Sequence, residues 1–349
     1  MPDDVTFDRP EDPSDVRQNP QASIGGKGPW RGPTYYGRSQ LKPAPFGKLA
    51  VGGYIFLAGL SGATALISAL LDASNGEAAA APVRRGRYLS LLAPTIGAGL
   101  LVWDLHTPKR FYNMLRIAKS TSPMSIGVWI LMGFSAFAGV SAVSQFLSDR
   151  VPGLRWLRGA ARFTQMPAAI AGTGLATYTA SLLSATSTPL WAAAPQVLAV
   201  RFGSSSVAAG ASALSMGEPS PRLRRKLDSL TVAALATELA AIMGSQQTYE
   251  CKGVADALDG SWGQVEKWGA TRLGVIAPLA IHGLSLLMSR RRDANALGRP
   301  LPVALSVAAS LATLAGSLTL RVSILGAGNE SAMRPDISFR FSESQPASE

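Results

Sequence analysis

Eight apolar runs, at 48–71, 87–104, 124–147, 165–184, 189–214, 227–247, 270–289 and 302–321, constrain this 349-residue chain more than any single motif does. Each is close to the roughly 20 residues that a helix needs to cross the hydrocarbon core of a bilayer. Inside that core a segment must satisfy its own backbone hydrogen bonds, and long runs without strict alternation do so as helices. The expected fold is therefore all-α, a polytopic membrane protein of about eight transmembrane helices. Composition agrees: 47% of residues are hydrophobic, 16% are charged, and 35 glycines permit close helix contacts in lipid.

These runs divide the chain into an extramembrane arm at 1–46, a transmembrane domain at 47–321 and an extramembrane tail at 322–349. The arm is rich in Pro, Gly and charge, and no basic segment leads into an early apolar core. The first span is thus read as its own insertion signal, without a cleaved leader. The second run is short, and the fifth carries Arg201 near its middle.

The net charge of +11 would suggest nucleic acid in a soluble chain, but here the basic residues crowd at the ends of apolar runs. Arg84, Arg85 and Arg87 follow the first run, and Arg150, Arg155, Arg158 and Arg162 follow the third. Arg222, Arg224, Arg225 and Lys226 follow the fifth, and Arg290, Arg291, Arg292 and Arg299 the seventh. Such clusters mark cytoplasmic loops and lipid contacts, which places both termini outside the cytoplasm and the chain in the cell's inner membrane. The outer face then carries the arm, the Asp104–Ser125 loop and the 247–268 loop, an extended surface suited to holding another protein.

Counting removes several chemistries. One cysteine, Cys251, cannot hold an iron–sulfur cluster or a cysteine-based zinc site. The two histidines, His106 and His282, fall at different membrane depths, which speaks against a bis-histidine haem. No P-loop, dinucleotide fingerprint or HExxH motif occurs. No metal or haem is expected on this chain.

What remains is a set of polar groups in or beside the spans: Asp104, His106, Tyr178, Arg201, Glu238, Arg272 and His282. Ionisable groups at such depth are functional candidates, but each has a structural reading. Tyr178 can pack with its hydroxyl on a nearby carbonyl. Arg201 and Glu238 can form a buried ion pair, and His282 can be a packing residue. With Thr237, the trio Arg201, Glu238 and His282 also makes a candidate proton path. The densest cluster is Asp104-Leu-His-Thr-Pro-Lys-Arg-Phe111, with Thr121-Ser-Pro-Met-Ser125 after it, at the edge of a span.

The pattern Asp104-Leu-x-x-Pro-x-Arg-Phe, then Asn113 and Thr121-Ser-Pro-Met-Ser, resembles the signature of the NrfD-type membrane subunits, the polysulfide reductase membrane-anchor family. Tyr35-Tyr-Gly-Arg-x-x-Leu-Lys-Pro43 is similar to that family's segment before its first helix, and Gly59-Leu-Ser-Gly-Ala63 to its Gly-rich first helix. Tyr178-Thr-x-x-Leu-Leu-Ser184 with Pro189-Leu-Trp191 resembles the fourth-helix tyrosine block, and Gly326-x-Gly-Asn-Glu-Ser-Ala332 the tail. The resemblance spans roughly residues 33–342.

It implies eight helices arranged as two four-helix bundles, and a non-autonomous subunit of a respiratory oxidoreductase complex. Such a subunit exchanges electrons between the quinone/quinol pool, menaquinone or ubiquinone, and a docked four-cluster ferredoxin-like iron–sulfur subunit. That subunit serves a molybdopterin-type or other catalytic partner. By the same resemblance Tyr178 matches the tyrosine that hydrogen-bonds the quinone; Asp104 and His106, on the same membrane side in this topology and able to exchange protons with water, join it as catalytic candidates. Tyr178, His106, Arg110 and Asn113 are candidates for binding the quinone, and Arg201, Glu238 and His282 for a proton path. Tyr54 and Ser61 are further candidates on the first helix. A proton-translocating coupling subunit and a passive anchor are the alternatives. The fifth run departs from the family in being rich in Ala and Ser.

Overall fold

The computed structural model describes residues 41–45, 47–105, 108–294 and 303–343. The arm before Leu41, His106 and Arg299 lie outside the described residues. The chain forms α1 Lys48–Asn75, α2 Ala80–Asp104, α3 Pro123–Arg150 and α4 Leu157–Ser184 in its first half. There follow α5 Pro195–Met216, α6 Pro221–Cys251, a π-helical stretch Glu266–Ile276 that runs into α7 Ala277–Ala294, α8 Val303–Met333 and a terminal α9 Pro335–Glu343. No strand occurs among the described residues, so the expected all-α membrane fold is borne out.

Six segments among the described residues are long and apolar enough to cross a membrane: Lys48–Asp104, Pro123–Arg150, Pro195–Met216, Pro221–Cys251, Ser261–Met288 and Ala304–Met333. The first of them is itself two helices, α1 and α2, folded back on each other through the 3-10 turn Gly76–Ala79. Gly76 takes φ 52° to end α1, a left-handed conformation that a side chain would oppose. The helix α4 is not among the six, because Gly, Thr, Ser, Tyr and Pro dilute even its charge-free half after Gln165.

Prolines set several helix starts, where a missing N–H costs nothing: Pro123, Pro195 and Pro221 open α3, α5 and α6. One of them, Pro195, with the short helix Pro189–Ala193, cuts the expected run at 189–214 in two at Ala194. Arg201 therefore sits in the second turn of α5 rather than near the middle of one long helix.

In the first bundle α1 packs on α2 and α4, and α3 packs on α4 and α2; in the second, α5, α6, α7 with its π stretch, and α8 pack on one another. The seam between them is made by α1 and α4 against α5, and by α1 against α8. Phe134, Leu175, Ala58, Ala138 and Ala168 fill the first core, while Phe202, Leu198, Trp191 and Leu320 bridge the seam. The Trp191 indole donates to the Ile324 carbonyl at 2.8 Å.

Backbones touch at two crossings. A Cβ on Gly62 of α1 would come within 2.9 Å of the Gly172 carbonyl carbon on α4, and one on Gly316 of α8 within 3.1 Å of the Gly274 carbonyl carbon. The segment before α1 is tied to the same end of the molecule twice. The Gly47 amide donates to Asp104 at 3.1 Å, and Ala44 exchanges bonds with the Asn329 side chain at 3.0 and 3.3 Å.

Replacing Gly62 with Ala is expected to destabilise the detergent-solubilised chain by about 1–3 kcal/mol, the usual cost of overpacking. Gly133→Ala, where a Cβ meets nothing within 4 Å, serves as the control and is expected to shift the thermal melting curve little.

Candidate functional site

At one end of the first bundle α4 lays Tyr178 against the first turns of α3. Gly127 makes this possible, since a Cβ there would overlap the Tyr178 ring. The phenol hydroxyl donates to the Pro123 carbonyl at 2.6 Å, a bond across two helices. Tyr54 of α1 lies near enough for the two phenols to interact electrostatically, and it packs with Ile130 against the first core.

The connection from α2 to α3 is pinned beside this tyrosine. The Ser125 hydroxyl donates to the Ile117 carbonyl at 2.7 Å and accepts from the Lys119 amide at 2.9 Å, and the Trp129 indole donates to the same Ile117 carbonyl at 3.2 Å. The pinned loop and α3 border an open cavity of about 540 Å³, lined by residues 118–120 with Ser125, Ile126, Trp129 and Ile130. Small-molecule sites typically span about 300–1,000 Å³. Tyr178 reaches α3 at Pro123 and Gly127, so the phenol and the cavity occupy adjacent faces of the same two turns.

The other sequence candidates fall around this end. Asp104 closes α2, and its carboxylate accepts the Gly47 amide, so it holds the start of α1 in place. Arg110 is exposed in the 3-10 turn Pro108–Arg110, and Asn113 is half-buried in the short helix Tyr112–Arg116. Neither lines the cavity. Ser61 is buried in α1 and donates to the Ala58 carbonyl at 2.8 Å.

The second bundle distributes its polar groups differently from expectation. The Arg201 guanidinium pairs with Glu266, the first residue of the π stretch, and Thr271 donates to that carboxylate at 2.9 Å. Glu238 is buried and stands within electrostatic reach of Arg201 and Arg321, without being the direct partner of Arg201. Thr237 faces outward and bonds back to the Ala233 carbonyl. Arg272 is exposed and lies 3.7 Å over the Trp268 ring.

Arg321 was not among the sequence candidates, yet its side chain is only 1% exposed. It donates to Ser205, Ser317 and Ser206 hydroxyls at 2.9, 2.6 and 2.8 Å and to the Phe202 and Ser317 carbonyls at 2.9 and 2.7 Å. A serine four residues before it on α8, and the Ser205-Ser206 pair on α5, were the available signal.

His282 lies elsewhere. Its Nδ1 is 3.8 Å from the Asp228 carboxylate, which accepts the Ser215 hydroxyl at 2.6 Å. Asp228 and Glu238 are ten residues apart on α6, about 15 Å along the axis at a rise of about 1.5 Å per residue. Arg201, Glu238 and His282 are therefore not brought together into one cluster. Among the described residues no group of three or more His, Cys, Asp and Glu is placed to hold a metal ion.

Residues 38–330, most of the chain, match the family model described as polysulphide reductase, NrfD. No curated protein matches the chain.

Breaking the buried pair of the second bundle by Arg201→Met is expected to cost about 3–5 kcal/mol, because it leaves the Glu266 charge uncompensated. Adding Glu266→Met to it should restore most of that loss. A double-mutant cycle by denaturant unfolding in detergent checks both.

Proposed function

The chain belongs to the polysulphide reductase NrfD family, membrane subunits of quinone-linked oxidoreductase complexes, and from that premise we propose that it exchanges electrons between the quinone/quinol pool and a docked four-cluster ferredoxin-like iron–sulfur subunit. The observation that carries this reading is the Tyr178 phenol fixed beside a 540 Å³ cavity at one end of the first bundle. The residues there fit a quinol: Trp129, Ile126 and Ile130 offer apolar walls, and the Ser125 and Tyr178 hydroxyls, whose hydrogens go to the Ile117 and Pro123 carbonyls, offer oxygens that accept. A quinol bound there supplies two electrons and two protons.

The protein's own groups hold the site in place. The Tyr178 hydroxyl spends its hydrogen on the Pro123 carbonyl, so its lone pairs are left to accept from a donor on the α3 face. The Trp129 and Ser125 bonds to Ile117 fix the loop beside the apolar wall. Asp104 secures the start of α1, the helix that carries Tyr54. His106, two residues after Asp104, is assigned to proton exchange with water, and Arg110 and Asn113 to contacts with the quinone. Menaquinone and ubiquinone share the chemistry this site requires.

Residues 41–45, the 108–122 connection and the segment between α6 and the π stretch lie toward the Tyr178 end, and that face is assigned to the iron–sulfur subunit and its molybdopterin-type or other catalytic partner. With the basic loops in the cytoplasm, it faces outward from the inner membrane. Arg201, Glu266, Glu238 and Arg321 are assigned to holding the second bundle, since His282 stands apart from them.

A fluorescent quinol analogue titrated onto membranes holding the chain with its native partners is expected to bind saturably. Tyr178→Phe should weaken it by about 1 kcal/mol, the scale of one hydrogen bond. Equal affinity in both proteins would remove Tyr178 from the site, and no saturable binding to either would remove the site itself.

A further inference from the structure

The end of the first bundle opposite Tyr178, where α1 and α3 finish and α2 and α4 begin, holds a second polar cavity that the proposed reaction does not use. Its volume is about 620 Å³, and Asp72, Arg84, Arg87, Asp149, Arg158 and Arg162 line it from all four helices, together with Glu77 and Gln145. Four arginines against three carboxylates leave it with one net positive charge.

The arginines differ in how far their donors are committed. Arg87 is buried, bonded to the Gln145 and Gln165 side chains and to Asp72 at 3.3 Å, and Arg162 donates to Asp72 at 3.2 Å. Arg84 and Arg158 approach Asp149 at 3.9 Å each, beyond hydrogen-bonding distance. Both Asp149 oxygens already accept from the Gln145 amide, at 2.9 and 3.0 Å. Two guanidinium forks, 55% and 60% exposed, thus flank the cavity without a close acceptor. Their planar donor geometry matches phosphate oxygens.

The surroundings are those of a lipid headgroup region. On α4 and just before it, Trp156 and Phe163 are 70% and 77% exposed beside Arg158 and Arg162, and Arg150 lies 5.1 Å over the Phe146 ring of α3. Aromatic residues concentrate at the membrane–water boundary. Met166 and Ile170, one and two turns after Arg162, continue an exposed apolar track toward the bilayer centre.

The geometry points to a binding site for a singly charged phosphate group, held between Arg84 and Arg158, of the kind an anionic phospholipid presents in its phosphodiester. Basic pockets between helices at one membrane face bind such headgroups. This site is independent of the quinone reading and lies at the other end of the bundle.

Native mass spectrometry of the full chain from phosphatidylcholine nanodiscs doped with phosphatidylglycerol tests it, with Arg84→Gln/Arg158→Gln as the variant and Arg222→Gln, in the first turn of α6, as a control. Wild type and control should retain phosphatidylglycerol, and the double variant should hold it about 30-fold more weakly, about fivefold for each juxtamembrane arginine lost. Melting in phosphatidylcholine alone, where no anionic headgroup is offered, should match between the proteins and separates folding from binding. If no lipid is retained but inorganic phosphate raises the melting temperature of wild type and not of the double variant, the phosphate site stands with a soluble source. If neither phosphatidylglycerol nor phosphate distinguishes wild type from the double variant, the proposal is overturned, and the arginines serve only topology and ion pairing.

Discussion

The backbone contact between Gly62 and Gly172 sets the geometry on which the Tyr178 end depends. Lipid tails are as apolar as leucine, so helices in a membrane gain little from hiding apolar surface and rely on close packing and buried hydrogen bonds. Here the two helices run antiparallel from that contact. Tyr54 stands eight residues before Gly62 and Tyr178 six residues after Gly172, about 12 Å and 9 Å along their axes. Both phenols therefore arrive at the same end and at nearly the same level, where Gly127 opens α3 to receive the Tyr178 ring. A side chain at the crossing would separate the helices and shift both tyrosines relative to α3.

The second bundle repeats the device at Gly274 and Gly316 but surrounds it with charge. The π-helical stretch starting at Glu266 turns that carboxylate toward Arg201, and Arg321 fills the space between α5 and α8 with bonds to serines and carbonyls. At Gly59 of α1 a Cβ would meet Ser206 directly and come within 3.6 Å of Arg321, so the seam between bundles is closed by a glycine lying on an arginine network. An apolar cavity with hydroxyls at one end of one bundle, and a buried ionic scaffold in the other, is a division of labour within a single fold.

Much of the architecture was legible in the apolar runs, because length and hydropathy alone decide what can span a bilayer. The details that escaped are those decided by contacts between distant segments. Arg201 looked central because Pro189 and Pro195 were read inside one run, whereas the second proline restarts the helix a turn before it. Its partner Glu266 lies outside every apolar run, and Glu238, inside one, was the natural but incorrect choice. Arg321 was hidden in a Ser, Leu and Thr segment whose serines point at it from two helices. Tyr178 stood out only through its family resemblance: its local setting is an ordinary apolar helix, and the Pro123 carbonyl that fixes it lies 55 residues away. Asp104 was read as a proton-handling group from its charge, and its bond to the Gly47 amide adds a structural duty that no local pattern displays.

The account's central claim is that the quinone-reactive site lies at the Tyr178 end of the first bundle. Photolabelling of the assembled complex with an azido-quinone, followed by peptide mapping, tests it most directly. The account predicts saturable labelling, suppressed by excess quinone, in residues 117–130 and in the last turns of α4 around Tyr178. Saturable labelling confined to α5 or to Ser261–Met288 of the second bundle would contradict it.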